Sequence, residues 1–595
     1  MSKLICLLSM FLYVFLGLTA QVPPVLAELP ANSVQKDELT RYYLSPQRVV
    51  WQSAESEEKI RNLGVLLNPG TGQAAFGLKK EAFATLTNAA GDTTGFILDF
   101  GKEIQGGIQI TTCTSNRVTH RVRVRLGESV AETCSKVVGD GTTGLAGGAT
   151  NHHAMRDFVT ELPGYGTKEF GESGFRFVRI DLLDHETSLN LLEVRAYAAF
   201  RDVPYLGSFE CSDPRLNEIW KTGAYTVHVN MQEYLWDGIK RDRMVWLGDM
   251  HPEVMTISAV FGANPVVTKS LDFVRDQTPL PRWMNGISAY SMWWVNNQYD
   301  WYLYHGNLDY LREQQTYLSG LLDLFLTKVD SLGRENLHGE GMRFLDWPSS
   351  TNEQGVHAGL QALMVMAFTR GAELYRVLGD LSRADACEKM VDKMKSYLPD
   401  ANHSKQAAAL LALANLMPAE KANAEVIAVD GPKNFSTFYG YYMLQAQAKA
   451  GDHQTAMDNI RTFWGAMLDL GATTFWEDFN LDWIENAARI DEMVPEGKVD
   501  IHAAYGDYCY IGYRHSLCHG WASGPTAWLS EHVLGIHVLE PGCRTVRIES
   551  HLADLQWAKG TFPTPFGLIT VRHTKLPDGS IKTEWDAPKE INIIQ

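Results

Sequence analysis

Positive charge is scarce in this 595-residue sequence: Lys and Arg total 53 against 70 Asp and Glu, a formal net charge of −17. Gripping a phosphate backbone takes clustered cations, so no nucleic-acid partner is expected. Cysteine is scarcer still, eight residues in all. No pair of Cys-x-x-Cys units suggests zinc, and the spacing is not that of a disulfide scaffold. Gly and Pro, 50 and 23 residues, are too few for a collagenous or low-complexity chain. After the first twenty residues no stretch is apolar enough to span a bilayer. What these absences leave is a globular protein with length for three or four domains, at roughly 150 residues each.

The one long apolar run opens the chain. Lys3 precedes an apolar segment from Leu4 to Ala20, and Val25-Leu26-Ala27 follows with small residues at a cleavage-like site. A basic start, an apolar middle and small residues describe a secretory signal peptide. About 17 apolar residues is at the short limit for a membrane anchor. The expectation is a signal peptide over residues 1–27 and a mature chain that is periplasmic or secreted. Cleavage removes Cys6 and leaves an odd number, seven, so at least one cysteine stays unpaired within the chain. Cys509 with Cys518, and Cys113 with Cys134, are the pairings the spacing leaves open. The His152-His153 doublet lacks neighbouring ligands and reads as a surface loop, not a metal site.

From residue 28 to 204 the periodicity is that of strands. Val118, Val122, Val124 and Leu126 alternate with Arg121, Arg123 and Arg125, which suits a sheet with one wet face. Phe96–Phe100 and Gly106–Ile110 read as two short strands around a glycine turn. Together these predict an antiparallel β-sandwich. From 205 to 535 the period becomes helical. Asp213-Pro214 supplies an N-cap type followed by a first-turn proline. Leu360, Leu363, Met364, Ala367, Gly371, Leu374, Tyr375 and Leu378 form one apolar stripe that stops at Gly379. His305-Gly306-Asn307, Leu378-Gly379-Asp380 and Ala450-Gly451-Asp452 repeat that stop, and such self-similarity implies repeated helical hairpins. Strands return over 536–595, with Pro577-Asp578-Gly579 as a hairpin turn.

Tryptophan is the outlier. Thirteen of the 16 lie between Trp220 and Trp528. Aromatics fill any large core, so the enrichment is informative only beside the acidic segments. The densest of these runs from Asp237 to Glu253 and interleaves Asp237, Lys240, Arg241, Asp242, Arg243, Asp249 and Glu253 with Trp246, Gly238, Gly248 and Pro252. Its glycines and proline point to a loop and a helix entrance, where catalytic groups are commonly presented. A second segment, Thr473-Thr474-Phe475-Trp476-Glu477-Asp478, sets a carboxylate beside an indole that desolvates it and raises its pKa. A third is Arg514-His515-Ser516-Leu517-Cys518-His519. Two distant carboxylates meeting in an aromatic cleft is what glycoside hydrolysis requires.

In these motifs the chain resembles the family 78 glycoside hydrolases, the α-L-rhamnosidases of the six-hairpin glycosidase superfamily. The likeness lies in Asp237-x-x-x-Arg241-Asp242, Trp246-Leu-Gly248-Asp249, Thr473-Thr474-x-Trp476-Glu477 and Ser516–His519, supported by Cys211–Leu216 and Gly524-Pro525. The resemblance implies a multidomain α and β protein with a central (α/α)6 barrel, an N-terminal antiparallel β-sandwich and a short C-terminal β domain. It implies hydrolysis of a terminal α-L-rhamnose in a glycan with inversion, and no cofactor or metal. It also implies Glu477 as general base, with Asp237, Arg241, Asp242, Asp249 and His519 lining the sugar site. Trp246, Glu253, Asp346 and Trp476 join them as expected substrate-binding residues, although Asp346 is equally suited to helix capping.

One departure matters. The family reads Arg-Asp-Glu in the first motif, and that Glu is its general acid. Here Arg243 follows Asp242, and a guanidinium does not give up its proton in a protein. Asp242, Asp249 or Glu253 takes the role, Asp249 first among them, or catalysis is lost. Two other functions compete: a glycan-binding protein that kept the fold without the acid, and a polysaccharide lyase using Arg243, His251 and Tyr290.

Overall fold

A computed structural model describes residues 37–113, 117–135, 154–506, 510 and 512–595. The expected signal peptide, the His152-His153 doublet and Cys509 lie outside the described residues. Nine strands come first: β1 (Thr40–Leu44), β2 (Arg48–Gln52), β3 (Ile60–Arg61), β4 (Ala84–Asn88) and β5 (Gly95–Thr112). β6 (Thr119–Gly127), β7 (Arg156–Pro163), β8 (Gly166–Leu182) and β9 (Thr187–Phe200) complete the set. They form one antiparallel sheet of order β3-β4-β9-β5-β8-β6-β7, with β1 on β9 and β2 on β5. Phe96, Leu98, Ile108, Val122, Phe175 and Leu191 belong to its apolar core.

Two expectations for this sheet are corrected. Residues 96–100 and 106–110 are parts of one 18-residue strand, β5, not two strands around a turn. Gly101 and Gly106, at φ +84° and +156°, lie where the register slips between Asp99 and Ile104 and between Gly106 and Ile108. A bulge bends a strand without ending it. β5 accordingly pairs with β2 over Phe96–Asp99 and with β9 over Gly106–Thr112. In β6, Val122, Val124 and Leu126 are buried as expected, but Val118 is outside the strand and exposed. Arg125 is not on a wet face. Helix α1 (Val130–Cys134) packs over that end, and the buried guanidinium donates to Asp181 at 2.7 Å.

Strand β10 (Ser208–Cys211) leads into the helices α2 (Pro214–Asn230), α3 (Met250–Val260), α4 (Pro265–Gln277), α5 (Ser288–His305) and α6 (Leu308–Leu326). Next come α7 (Glu353–Leu378), α8 (Leu381–Lys395), α9 (Lys405–Leu413) and α10 (Ala419–Ala422). The last are α11 (Gly440–Lys449), α12 (His453–Asp469), α13 (Ile501–Ala504) and α14 (Gly524–Trp528). Helices α3, α5, α7, α9, α11 and α14 each pack on the next, and α14 returns to α3. That closes the expected ring of six.

The ring is punctuated as the repeated glycines suggest. Gly306, Gly379 and Gly451 have φ of +67°, +81° and +77°, and each follows or nearly follows the last residue of α5, α7 or α11. Glycine tolerates this left-handed conformation, which turns the chain off the helix axis. The next residue caps the outgoing helix: Asn307, Asp380 and Asp452 accept from the N–H groups of Tyr310, Arg383 and Thr455. A glycine stop joined to an Asx start makes a tight hairpin. At the C-terminus, strands Trp557–Thr564, Gly567–Lys575 and Ile581–Asp586 pair in sequence, and the first also pairs with β10. The thiols of Cys113, Cys134, Cys211, Cys387, Cys518 and Cys543 are free, so Cys113 and Cys134 form no bridge.

Candidate active site

The approaches to the ring helices meet at one end. Asp249 precedes α3, Tyr290 opens α5, Thr437 precedes α11 and His519 precedes α14. The loop before α3 is drawn tight: Asp237 accepts from the Met244 N–H at 2.9 Å, and Gly238 bridges to His519. Between them the Arg243 N–H donates to the Arg241 carbonyl at 2.6 Å, with Asp242 at φ +53° and Arg243 at φ +52°. A hydrogen bond over two residues at positive φ is the rarer, strained γ-turn. Two consecutive non-glycine residues in this region cost roughly 1–3 kcal/mol each. The turn sends its two arginines apart. Arg241 is buried: it donates to the Arg514 carbonyl at 2.7 Å and to Asp242 at 2.9 Å, and pairs tightly with Glu477 Oε1. Arg243 reaches outward to Glu172 of β8 at 3.2 Å.

Glu477 is held from several sides. Its backbone N–H donates to the Ser516 carbonyl at 3.0 Å, and the Ser516 N–H donates back to Oε2 at 3.2 Å. Its carbonyl accepts from Thr437 Oγ1 at 2.6 Å and Trp521 Nε1 at 2.9 Å. His519 Nε2 stands 3.5 Å from Glu477 Oε1 and 3.8 Å from both Asp237 Oδ2 and Asp249 Oδ2. The two legs through His519 bound the Glu477–Asp249 oxygen separation at about 7.3 Å. Tyr290 donates to Asp249 Oδ1 at 2.8 Å. Gly248 makes that approach feasible, because a Cβ there would sit 2.2 Å from the Tyr290 ring.

Burial raises the pKa of Asp249 far above the usual carboxylate range, and the nearby Glu477 and Asp242 push it the same way against the Tyr290 hydrogen bond. Burial also raises Asp237 and Glu253 strongly. Glu477 is raised by burial too, but Arg241 opposes the shift. His519 is driven far down by burial and by Arg241, so its imidazole is neutral. Asp249 therefore holds a proton while Glu477, beside a cation, is the readier to ionise.

The structure brings Asp237, Arg241, Asp242, Asp249, Glu477 and His519 together. Trp246 stacks edge-on against Tyr290 at 6.3 Å and is partly exposed. Trp476 is buried, and its Nε1, His519 Nδ1 and both Glu253 oxygens find no hydrogen-bond partner among the described residues. Glu253 lies behind the cluster, under Gly520, where a Cβ would collide with Oε1 at 1.5 Å. Asp346 belongs to a different network. It accepts from the Ser349 N–H at 3.0 Å, Ser349 Oγ at 2.6 Å, Ser436 Oγ at 2.7 Å and Gln406 Nε2 at 3.0 Å. The trio considered for a lyase is dispersed: His251 bonds Asp300 and Tyr442, Tyr290 bonds Asp249, and Arg243 bonds Glu172. Sequence reasoning missed Tyr290 as the partner of Asp249 and Trp521 as a support of Glu477. Only their types, not their spacing, hinted at either.

Among the described residues one set has the spacing of metal ligands: Glu128, Glu132 and His502, with ligand atoms within 4.8 Å of one another. The ammonium of Lys240 sits among them, 3.0 Å from Glu128 and 3.4 Å from both Glu132 and His502.

Residues 204–533 match the model of the bacterial α-L-rhamnosidase six-hairpin glycosidase domain. An α-L-rhamnosidase of Alteromonas sp. (strain LOR) is 25% identical over 483 residues, 72% of this chain and 50% of that protein. The chain thus spans about half the length of this curated relative. A family 78 rhamnosidase of Bacillus sp. GL1 superposes with a TM-score of 0.69 at 21% identity, over 90% of this chain and 55% of that one. A Klebsiella oxytoca rhamnosidase, solved with rhamnose bound, gives 0.62 at 20% identity, over 83% of this chain and 96% of that one. Since the matched region exceeds half of the sequence, the chain belongs to the bacterial α-L-rhamnosidase six-hairpin glycosidase family.

Proposed function

We propose that the protein is an exported glycoside hydrolase that removes terminal α-L-rhamnose from a glycan by single displacement with inversion. Family membership supports the substrate class, and the signal-like N-terminus supports export to the periplasm or beyond. In this reading Glu477, ionised beside Arg241, takes a proton from the attacking water. Asp249 donates its proton to the departing oxygen in place of the family's missing Glu. Asp237, Arg241, Asp242 and His519 bind sugar hydroxyls, with Trp246 and Trp476 beside the ring and Glu253 behind. The observation that carries the mechanism is the unequal pair of carboxyls on either side of His519, one beside a guanidinium and the other beside a phenol. Acid and base of one displacement need such a split.

The test is turnover of aryl and natural α-L-rhamnosides by wild type, Glu477→Gln and Asp249→Asn, with the product anomer followed by NMR. Release of β-L-rhamnose by wild type and its loss in both variants are expected. Activity surviving in Glu477→Gln would refute the mechanism. Arg243 in the acid's place favours a second reading, a rhamnose-binding protein without turnover. Calorimetric binding of rhamnose with no hydrolysis by wild type would select it.

A further inference from the structure

Lys240 is a buried cation next to Arg241 in sequence, yet it points away from the sugar site into the first domain. Its ammonium donates to the carbonyls of Tyr513 and His515 at 2.7 and 2.8 Å. It also pairs with Glu128 at 3.0 Å and Glu132 at 3.4 Å, which follow strand β6 and lie in helix α1. All of these side chains are buried. Glu128 continues the path. It accepts from Leu517 N–H at 2.7 Å and Ser516 Oγ at 3.1 Å, while the Ser516 N–H is the donor to Glu477. His502, kept neutral by burial and by Lys240, closes the set: it bonds the His515 carbonyl at 2.9 Å and Ser129 at 2.8 Å. Two contacts to backbone carbonyls run the same way, from the Gly174 N–H to the Ile239 carbonyl at 2.9 Å and from the Arg156 guanidinium to the Lys240 carbonyl at 3.3 Å.

We infer that the β-sheet domain is part of the catalytic unit: Glu128, with Lys240 at its centre, positions the 513–519 segment and hence Glu477 and His519. These are positioning residues, since none touches the sugar site. The cost of a fully buried ion pair explains why they are informative. Desolvating the Lys240 ammonium and its acidic partners is expensive, and a buried pair is often no better for stability than apolar packing. An arrangement built at that cost, with Lys240, Glu128 and His502 each bonded to the 513–517 backbone, fixes geometry. Displacements on the order of 1 Å near reacting groups lower rates by up to about 100-fold.

This inference rests on the hydrolase reading for its rate measurement and is separable from it. Lys240→Met and Glu128→Gln, in the full chain, are compared with wild type by kcat and KM on an aryl α-L-rhamnoside. Amide exchange of peptides covering 513–521 is followed by mass spectrometry. Lys240→Met is expected to lose roughly 10- to 100-fold in kcat with KM within about threefold, and the Ser516 and Leu517 amides to exchange at least about tenfold faster. Glu128→Gln keeps an acceptor for Leu517 and is expected to lose less than Lys240→Met in both. If Lys240→Met does not fold, Glu128→Gln carries the test with a kcat loss of about three- to tenfold. Unchanged kcat and exchange, even with a lowered Tm, would overturn the inference and leave only bracing. If wild type turns over no rhamnoside, the hydrolase reading has failed, and unchanged exchange then decides against this inference on its own.

Discussion

Two sets of buried carboxylates in the helical domain are partnered in opposite ways. Asp300, deep in α5, is bonded by His251 at 2.8 Å and Arg370 at 2.7 Å. Glu335 is bonded by His357 at 2.6 Å and Arg343 at 2.8 Å; these bonds outweigh burial and hold its pKa down to about 2. At the ring entrance Asp237, Asp249 and Glu477 crowd around one guanidinium and a neutral imidazole with Glu253 behind them, and burial raises all four. Burial alone therefore marks nothing. Asp346 is as buried as Asp249, yet four donors satisfy it. What distinguishes the entrance is several buried acids sharing a single guanidinium, an arrangement that perturbs pKa values as proton transfer requires.

The two sets of carboxylates should differ most at Glu477. Glu477→Gln is expected to lower kcat by roughly 10²- to 10⁴-fold, whereas Asp300→Asn should retain wild-type kcat per folded molecule while losing about 2–4 kcal/mol of stability. Equal losses of kcat would erase the distinction. Asp249→Asn is expected next, with kcat down about 10²-fold or more and the alkaline limb of its pH profile gone.

Stability should respond to pH with opposite signs in the two sets. Glu335 has a lowered folded pKa, so its contribution is present above the ordinary carboxylate range and is lost as pH falls from about 4.5 towards about 2. Urea denaturation should show Glu335→Gln weaker than wild type by about 2–3 kcal/mol at pH 7 and nearly equal to it near pH 2. Asp249 has a raised folded pKa, so the stability linked to its proton is complete below that range and is lost as pH rises through the raised value. Asp249→Asn should match wild type near pH 4 and exceed it near pH 8. The smallest effect is expected at the hairpins. Gly379→Ala, with open space around its Cβ, should cost about 1 kcal/mol from backbone strain alone, read as a lower Tm.

Much of this was legible in the chain itself. Helical period, glycine stops and Asx caps are local signals, so the hairpins α5–α6, α7–α8 and α11–α12 follow from short windows. The acids of the site were legible because Asp237, Asp249 and Glu477 sit in segments too aromatic and too glycine-rich for solvated helix faces. Strand β5 was not, because a glycine in a bulge and a glycine in a turn look alike until the partners are known. Lys240 was not either. Its partners Glu128 and Glu132 lie more than a hundred residues away, and a lysine between two loops ordinarily reads as a surface charge.

The γ-turn at Asp242 has a bearing on repair. Because the backbone there is wound left-handed, the side chain at 243 faces Glu172 and the indole of Trp236 and not the cluster of Asp249, Glu477 and His519. Arg243→Glu would set two anions, at 243 and Glu172, against each other and would place no acid beside Glu477. The turn thus withholds a proton donor at 243 by geometry as well as by chemistry, and an acid at this position would face the cluster only after the loop itself was rebuilt.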